Sequence, residues 1–235
     1  MATLAILPVK SFDAAKQRLA AGLPPGVRRA LAQAMCADVL LALRRSERVD
    51  AVVVVSRERD ATALASGHSV EVVDDPEDAG QSAAAQRGIA RATERGFERV
   101  VLVAGDCPAL DPSELDALLE RAEGSERTVV IVPDRHGTGT NALVLAPPAV
   151  IETAFGVGSF ARHRDRARAA GLEPVVDAVP SIGLDVDTPE DLAALRDALG
   201  SARTVAPNTR GMLSQLDRSE GRAPAAAQAR APAHG

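Results

Sequence analysis

The chain has 235 residues, 46% of them hydrophobic, enough for one large or two small packed domains and too apolar for a collagen-like or wholly disordered chain. Its 27 Lys and Arg against 32 Asp and Glu leave a net charge of −5, and its aromatic content is 2%, with four Phe and no Trp or Tyr. So acidic a chain with so few stacking rings argues against a nucleic-acid surface. A small anion held by local donors and a metal stays open.

Runs of strand length recur in chain order at Thr3 to Val9, Ala51 to Val55, Val70 to Val73, Val100 to Ala104, Thr128 to Val132, Asn141 to Leu145 and Pro174 to Val179. Several are continuously apolar, as expected of strands covered on both faces. Amphipathic helical patterns lie between them at Pro25 to Arg45, Gln81 to Arg95, Pro112 to Glu123, Ser159 to Ala170 and Pro189 to Leu199. The β-α-β alternation predicts a single-domain α/β doubly wound, mostly parallel sheet over residues 1–199. Asn141 to Leu145 follows the preceding strand after a Gly-rich turn with no helix between, which predicts one antiparallel strand. From Gly200 to Gly235 the texture changes to Ser, Ala, Pro, Arg and Gly, and composition predicts a disordered tail. That tail carries a net charge of +3, leaving −8 on the folded part.

Cys36 and Cys107 form no disulfide framework and lack zinc-ligand spacing, so a reducing cytoplasm is the expected location. The opening Met-Ala-Thr-Leu-Ala-Ile-Leu has no basic flank, and no apolar run reaches membrane length, so neither signal peptide nor membrane contact is expected.

Ligands of open α/β sheets bind beyond the carboxyl ends of the strands, and four such ends carry unusual residues. After the first strand come Lys10 and Lys16, the only lysines in the chain. Lys10, at the strand end, suits a point charge on a phosphate; Lys16 reads equally well as an accident of an Arg-rich composition. After the fourth strand stands Asp106, a hard-cation ligand or a turn cap, with the helix-capping role better filled by Asp111 before Pro112. Asp185 and Asp187 share one side of an extended segment, where two carboxylates repel unless a cation lies between them. One of the pair could instead cap the next helix, although Thr188 with Asp191 already forms a capping pattern before Pro189. The fourth end holds Asp134 to Asn141, rich in Gly and Thr, followed by Phe155 to Phe160. Its Gly156 and Ser159 lead into a helix N-terminus suited to an anion. Gly-Thr-Gly-Thr also reads as a simple hairpin turn, and His136 and His163 read as solvated or structural.

In sequence order these motifs are Pro-Val-Lys at 8–10, Ala-Lys-x-Arg-Leu at 15–19, Gly-Asp-x-Pro at 105–108, Gly-Thr-Gly-Thr-Asn at 137–141, Phe-Gly-x-x-Ser-Phe at 155–160 and Asp-Val-Asp-Thr-Pro-Glu-Asp-Leu at 185–192. Together they resemble the guanylyltransferase family of coenzyme F-420 biosynthesis, which acts on phosphoenolpyruvate or 2-phospho-L-lactate. The resemblance implies a nucleotide-diphospho-sugar transferase-like fold, GTP as donor and Mg2+ as cofactor. It implies Lys10 beside the bound phosphates and Asp106, Asp185 and Asp187 as magnesium ligands. Thr140, Gly156 and Ser159 would hold the phosphorylated C3 acid, and the product would pass to the next enzyme of the pathway. Where the family has Gly-Leu-Asn-x-Ala, this chain has Gly80-Gln81-Ser82-Ala83-Ala84, which leaves its guanine contacts unassigned. The Ala/Arg-rich, Lys-poor composition is similar to that of high-GC bacteria, in which enzymes of the resembled family tend to use phosphoenolpyruvate, so the resemblance implies that acceptor over 2-phospho-L-lactate.

Two other readings compete. A nucleotidyltransferase for a molybdopterin or sugar-phosphate acceptor would usually open with a Gly-rich loop after the first strand, which this sequence lacks. A non-catalytic nucleotide-binding module would predict decay of the aspartates, and all three are present.

Overall fold

A computed structural model describes residues 1–13, 15–201 and 204–219. The strands are β1 (Thr3–Pro8), β2 (Ala51–Val55), β3 (Glu71–Val73), β4 (Arg99–Val103), β5 (Thr128–Pro133), β6 (Thr140–Ala146) and β7 (Val175–Val176). They form one sheet in the order β3-β2-β1-β4-β6-β5-β7. All run parallel except β6, which pairs antiparallel with both β4 and β5. The absence of a crossover helix between β5 and β6 permits this reversal.

The helices are α1 (Pro25–Arg45), α2 (Arg59–Gly67), α3 (Gln81–Glu94), α4 (Pro112–Arg121), α5 (Ser159–Ala169), α6 (Pro180–Gly183), α7 (Pro189–Ser201) and α8 (Pro207–Ser219). One face of the sheet packs Val54, Val101, Val130 and Val144 against α1, α2, α4 and α6. The other packs Ile6, Val53, Leu102 and Leu143 against α3 and α5. Continuous apolar runs in β1 and β4 follow from this double cover, because every side chain of both strands is buried. A Cβ at Gly88 would collide with Ile6, so the glycine lets α3 lie directly on β1. At α4, Asp111 accepts from the Ser113 amide at 2.8 Å, the cap expected from sequence.

Two helices have weak sequence signals: α2 buries only the small residues Ala61 and Ala65, and α6 has four residues. Residues 204–219 fall in the predicted disordered tail, yet α8 buries Thr209, Leu213 and Leu216 on one stripe, and the two leucines join a third cluster with Leu31, Met35 and Leu195. Its N-terminus is satisfied from outside, by the Asp38 carboxylate of α1, which accepts from the backbone amides of Asn208 and Thr209 at 3.0 and 2.7 Å. A carboxylate at a helix N-terminus offsets both orphan amides and dipole. Average composition hides an i, i+4, i+7 stripe and a cap that lies on another helix. The predicted tail beyond Ser219 lies outside the described residues.

Candidate active site

β1 and β4 are adjacent, and their carboxyl ends open into a cleft of about 330 Å3 lined by Lys10, Phe12, Lys16, Cys36, Gln81 and Asp106 among others. Lys10 is exposed at its rim. Lys16 is the opposite case, its side chain only 6% exposed. It takes a left-handed backbone conformation, φ 56° and ψ 39°, which costs a non-glycine residue on the order of 1 kcal/mol. The conformation goes with an ammonium aimed inward, 2.5 Å from Asp106 Oδ2 and 3.0 Å from Asp187 Oδ1. Burial would lower the pKa of this ammonium, but Asp106 and Asp187 more than offset it and the net shift is upward.

Asp187 arrives on the segment leading into α7. The Val186 amide donates to the Asp106 carbonyl at 3.2 Å, and Val186 itself is buried in the third cluster. Period-two alternation therefore turns Asp185 and Asp187 the other way, as the sequence predicts. They have different partners: Asp187 meets Lys16, while Asp185 accepts from Asn141 Nδ2 at 3.0 Å. The segment is anchored by Asp191, which accepts from the Asp187 and Thr188 amides at 3.0 and 2.8 Å while the Thr188 hydroxyl accepts from the Asp191 amide. This is the expected reciprocal cap, and it leaves Asp185 and Asp187 free of capping duty. Asp191 also pairs with Arg135 of the β5–β6 turn at 2.5 Å, tying that turn to the aspartate segment.

Among the described residues no three His, Cys, Asp or Glu side chains converge on one point as ready cation ligands; the cation between Asp106 and Asp187 is the Lys16 ammonium. The donor chemistry nevertheless fits magnesium. Three carboxylates against one ammonium leave two negative charges, and all the donors are hard oxygens. Burial raises the pKa of Asp185, reinforced by the charge of Asp106 and opposed by the Asn141 hydrogen bond.

The expected acceptor residues gather on the other side of the sheet. β6 carries a bulge: Val132 faces Ala142 and Pro133 faces Thr140, which leaves Asn141 as an extra residue. Asn141 turns toward Asp185 and the Ile182 carbonyl. Thr140 turns toward α5, its Oγ1 3.0 Å from His163 Nδ1. Bulges re-aim side chains in this way beside functional sites. Phe160 at the start of α5 donates its amide to the Thr138 carbonyl at 3.2 Å, and Ser159 is buried. Gly156 has φ 102°, a conformation that favours glycine. Arg162 donates to the Ala154, Phe155 and Val157 carbonyls and Arg166 to Thr153, which holds the loop around Gly156 in place.

The structure thus joins Asp106 and Asp187 through Lys16, holds Asp185 beside them on Asn141, and brings Thr140 to α5, the helix that starts at Ser159. Lys10 is at the cleft but outside the ion-paired centre. Lys16, left open by the sequence, is at that centre, and its signal was the Ala-Lys-x-Arg-Leu motif at 15–19. Asn141 ends the Gly-Thr-Gly-Thr-Asn motif, but only the bulge reveals which way it points.

The family model described as "Guanylyl transferase CofC like" matches residues 3–199. A phosphoenolpyruvate guanylyltransferase of Conexibacter woesei is 53% identical over 216 residues, spanning 92% of this chain and 97% of its own. One from Sphaerobacter thermophilus is 40% identical, over 83% of this chain and 93% of its own. A 2-phospho-L-lactate guanylyltransferase of Methanothermobacter thermautotrophicus is 35% identical, over 83% of this chain and 84% of its own. Among solved structures, a putative nucleotide-diphospho-sugar transferase from Desulfovibrio desulfuricans superposes with a TM-score of 0.73 at 19% identity, over 93% of this chain and 96% of that one. That likeness bears on the fold, which is the nucleotidyltransferase fold expected from sequence.

Proposed function

Because the chain belongs to the CofC-like guanylyl transferase family, we propose that it is a cytoplasmic enzyme of coenzyme F-420 biosynthesis that transfers GMP from GTP to phosphoenolpyruvate. In this reaction a phosphate oxygen of the acceptor attacks the α-phosphorus of GTP, the bond from that phosphorus to the bridging oxygen breaks, and pyrophosphate leaves. The acceptor phosphate is already an anion at neutral pH, so no general base is required. The obstacle is repulsion among anions and charge on the leaving group, which fixed cationic and donor groups relieve.

The observation that carries this reading is the Lys16, Asp106 and Asp187 cluster at the mouth of β1 and β4. In the proposed enzyme Asp106, Asp185 and Asp187 hold Mg2+; when bound there it supplies charge neutralisation and polarisation of a phosphoryl oxygen. Lys10 and Lys16 contribute positive charge to the triphosphate. Thr140, the Gly156 loop and Ser159 at the start of α5 hold the acceptor's anionic oxygens, as a helix N-terminus favours. Phosphoenolpyruvate is preferred over 2-phospho-L-lactate because the relatives at 53% and 40% identity carry its name. The product, a reactive mixed diphosphate, passes to the next enzyme of the pathway.

Pyrophosphate release from GTP and Mg2+, assayed with phosphoenolpyruvate, 2-phospho-L-lactate, a sugar 1-phosphate and molybdopterin, tests the reading. Turnover with phosphoenolpyruvate is expected; turnover only with 2-phospho-L-lactate would change the acceptor, and turnover only with a sugar phosphate or molybdopterin would overturn the assignment.

A further inference from the structure

His163 is fully buried on α5, one helical turn beyond Ser159, and the proposed reaction assigns it no role. Its hydrogen bonds fix its tautomer. The Ala154 amide donates to His163 Nε2 at 2.9 Å, so Nε2 carries a lone pair and the neutral ring holds its proton on Nδ1. Nδ1–H therefore donates to Thr140 Oγ1 at 3.0 Å. A hydroxyl that accepts there has its own proton left to donate elsewhere, and no described residue takes it up.

The ring is clamped as well as bonded. Phe155 meets it edge-on with centroids 5.0 Å apart. Burial, with Arg166 and Arg162 nearby, lowers the His163 pKa to about 4, which keeps the ring neutral near pH 7. On the opposite side of β6, the bulge sends Asn141 away toward Asp185, so Thr140 depends on α5 for its side-chain contact.

We propose that His163 is a positioning residue for the acceptor: it turns the Thr140 hydroxyl into a fixed hydrogen-bond donor for an anionic oxygen of the phosphorylated acid. This rests on the acceptor reading of Thr140. Preorganising a donor before the substrate arrives removes an ordering cost from binding, so the effect falls on acceptor affinity and not on GTP.

Steady-state kinetics of His163→Gln and His163→Asn separate this role from a structural one. The longer Gln side chain can accept from Ala154 but does not place a donor at Nδ1. Asn places its amide nitrogen near the Nδ1 position. His163→Gln is expected to raise the KM for phosphoenolpyruvate about tenfold, the scale of one hydrogen bond to a charged group, with the KM for GTP within about twofold. His163→Asn should recover most of the loss. On a Thr140→Val background, His163→Gln should add little, because residues acting through one contact are not additive.

Equal changes in both KM values, or full additivity with Thr140→Val, would overturn the proposal. Independently of any variant, 15N histidine spectra of the wild-type protein should show His163 neutral and protonated on Nδ1 at pH 7; the Nε2-protonated form would also overturn it. Wild-type enzyme inactive with every phosphorylated C3 acid would instead remove the acceptor reading itself, a result distinguishable from the others.

Discussion

Thr140 and Asn141 are neighbours in β6, yet Thr140 Oγ1 lies 3.0 Å from His163 Nδ1 on one face of the sheet and Asn141 Nδ2 lies 3.0 Å from Asp185 Oδ1 on the other. In a regular strand the two side chains would also alternate, but with Thr140 on the face of Ala142 and Asn141 on the face of Leu143. The bulge exchanges them. Asn141 consequently holds Asp185 in place, where the proposed Mg2+ would bind. Asn141→Ala removes donors from Asp185 and the Ile182 carbonyl, and loss of such an outer contact weakens metal affinity by roughly tenfold or more. Magnesium titration of turnover should show that shift with kcat largely recovered at saturation; an unchanged half-saturation would contradict the role given to Asn141.

Lys16 supplies the countercharge within the aspartate cluster. Lys16→Met leaves Asp106 and Asp187 without it. Because those carboxylates are 29% and 46% exposed, solvent screens part of the penalty, which should be about 1 to 3 kcal/mol. Thermal melts in EDTA should therefore fall by several degrees, while added Mg2+ should raise the melting temperature more than it does for wild type. Equal metal responses in the two proteins would contradict the ion-pair account.

The pH dependence of stability reports on His163. Its folded pKa, about 4, lies below the ordinary 6.5, so between these values the unfolded chain binds more protons than the folded one. Stability from this group is complete above about pH 6.5 and is lost as pH falls toward 4, by roughly 2 to 3 kcal/mol. Denaturant unfolding at pH 7 and pH 4.5 should show a larger fall for wild type than for His163→Gln, since carboxylates common to both cancel. Identical falls would place the wild-type imidazole in an unperturbed environment.

Residues beyond Gly200 contribute to stability through α8. Leu213 and Leu216 are buried and Asp38 caps the helix, and each buried leucine is worth about 1.5 to 3 kcal/mol. Truncation after Gly200 should lower the melting temperature by several degrees. An unchanged melting temperature would show that α8 does not hold to α1 in solution.

Much of this was legible in the sequence because it follows from local rules. The apolar runs give the strands, the missing helix before Asn141 gives the reversed strand, and the spacing of Asp185 and Asp187 gives their common side. Asp111 and the Thr188–Asp191 pair are recognisable as caps. What was not legible depends on distant parts of the chain. Whether Lys16 is buried depends on Asp106 and Asp187, some 90 and 171 residues away. The direction of Asn141 depends on one extra residue in a ladder. The order of α8 depends on Asp38, which no local pattern connects to Asn208. His163 looked structural because an isolated buried histidine usually is one, and only its two hydrogen-bond partners define its tautomer.

A 31P NMR time course with GTP, Mg2+ and phosphoenolpyruvate reads directly whether Asp106, Asp185 and Asp187 support transfer of GMP to a phosphorylated acid. Wild-type protein should convert the acceptor monoester signal into a pair of coupled diphosphate doublets with one equivalent of pyrophosphate. Asp106→Asn, Asp185→Asn and Asp187→Asn, which remove charge and keep shape, should each slow that conversion by roughly a hundredfold or more. Conversion at a near wild-type rate by any of these folded variants at limiting Mg2+ would contradict its place in the cluster. Absence of new diphosphate signals with wild-type protein and either phosphorylated acid would contradict GMP transfer to these acids altogether.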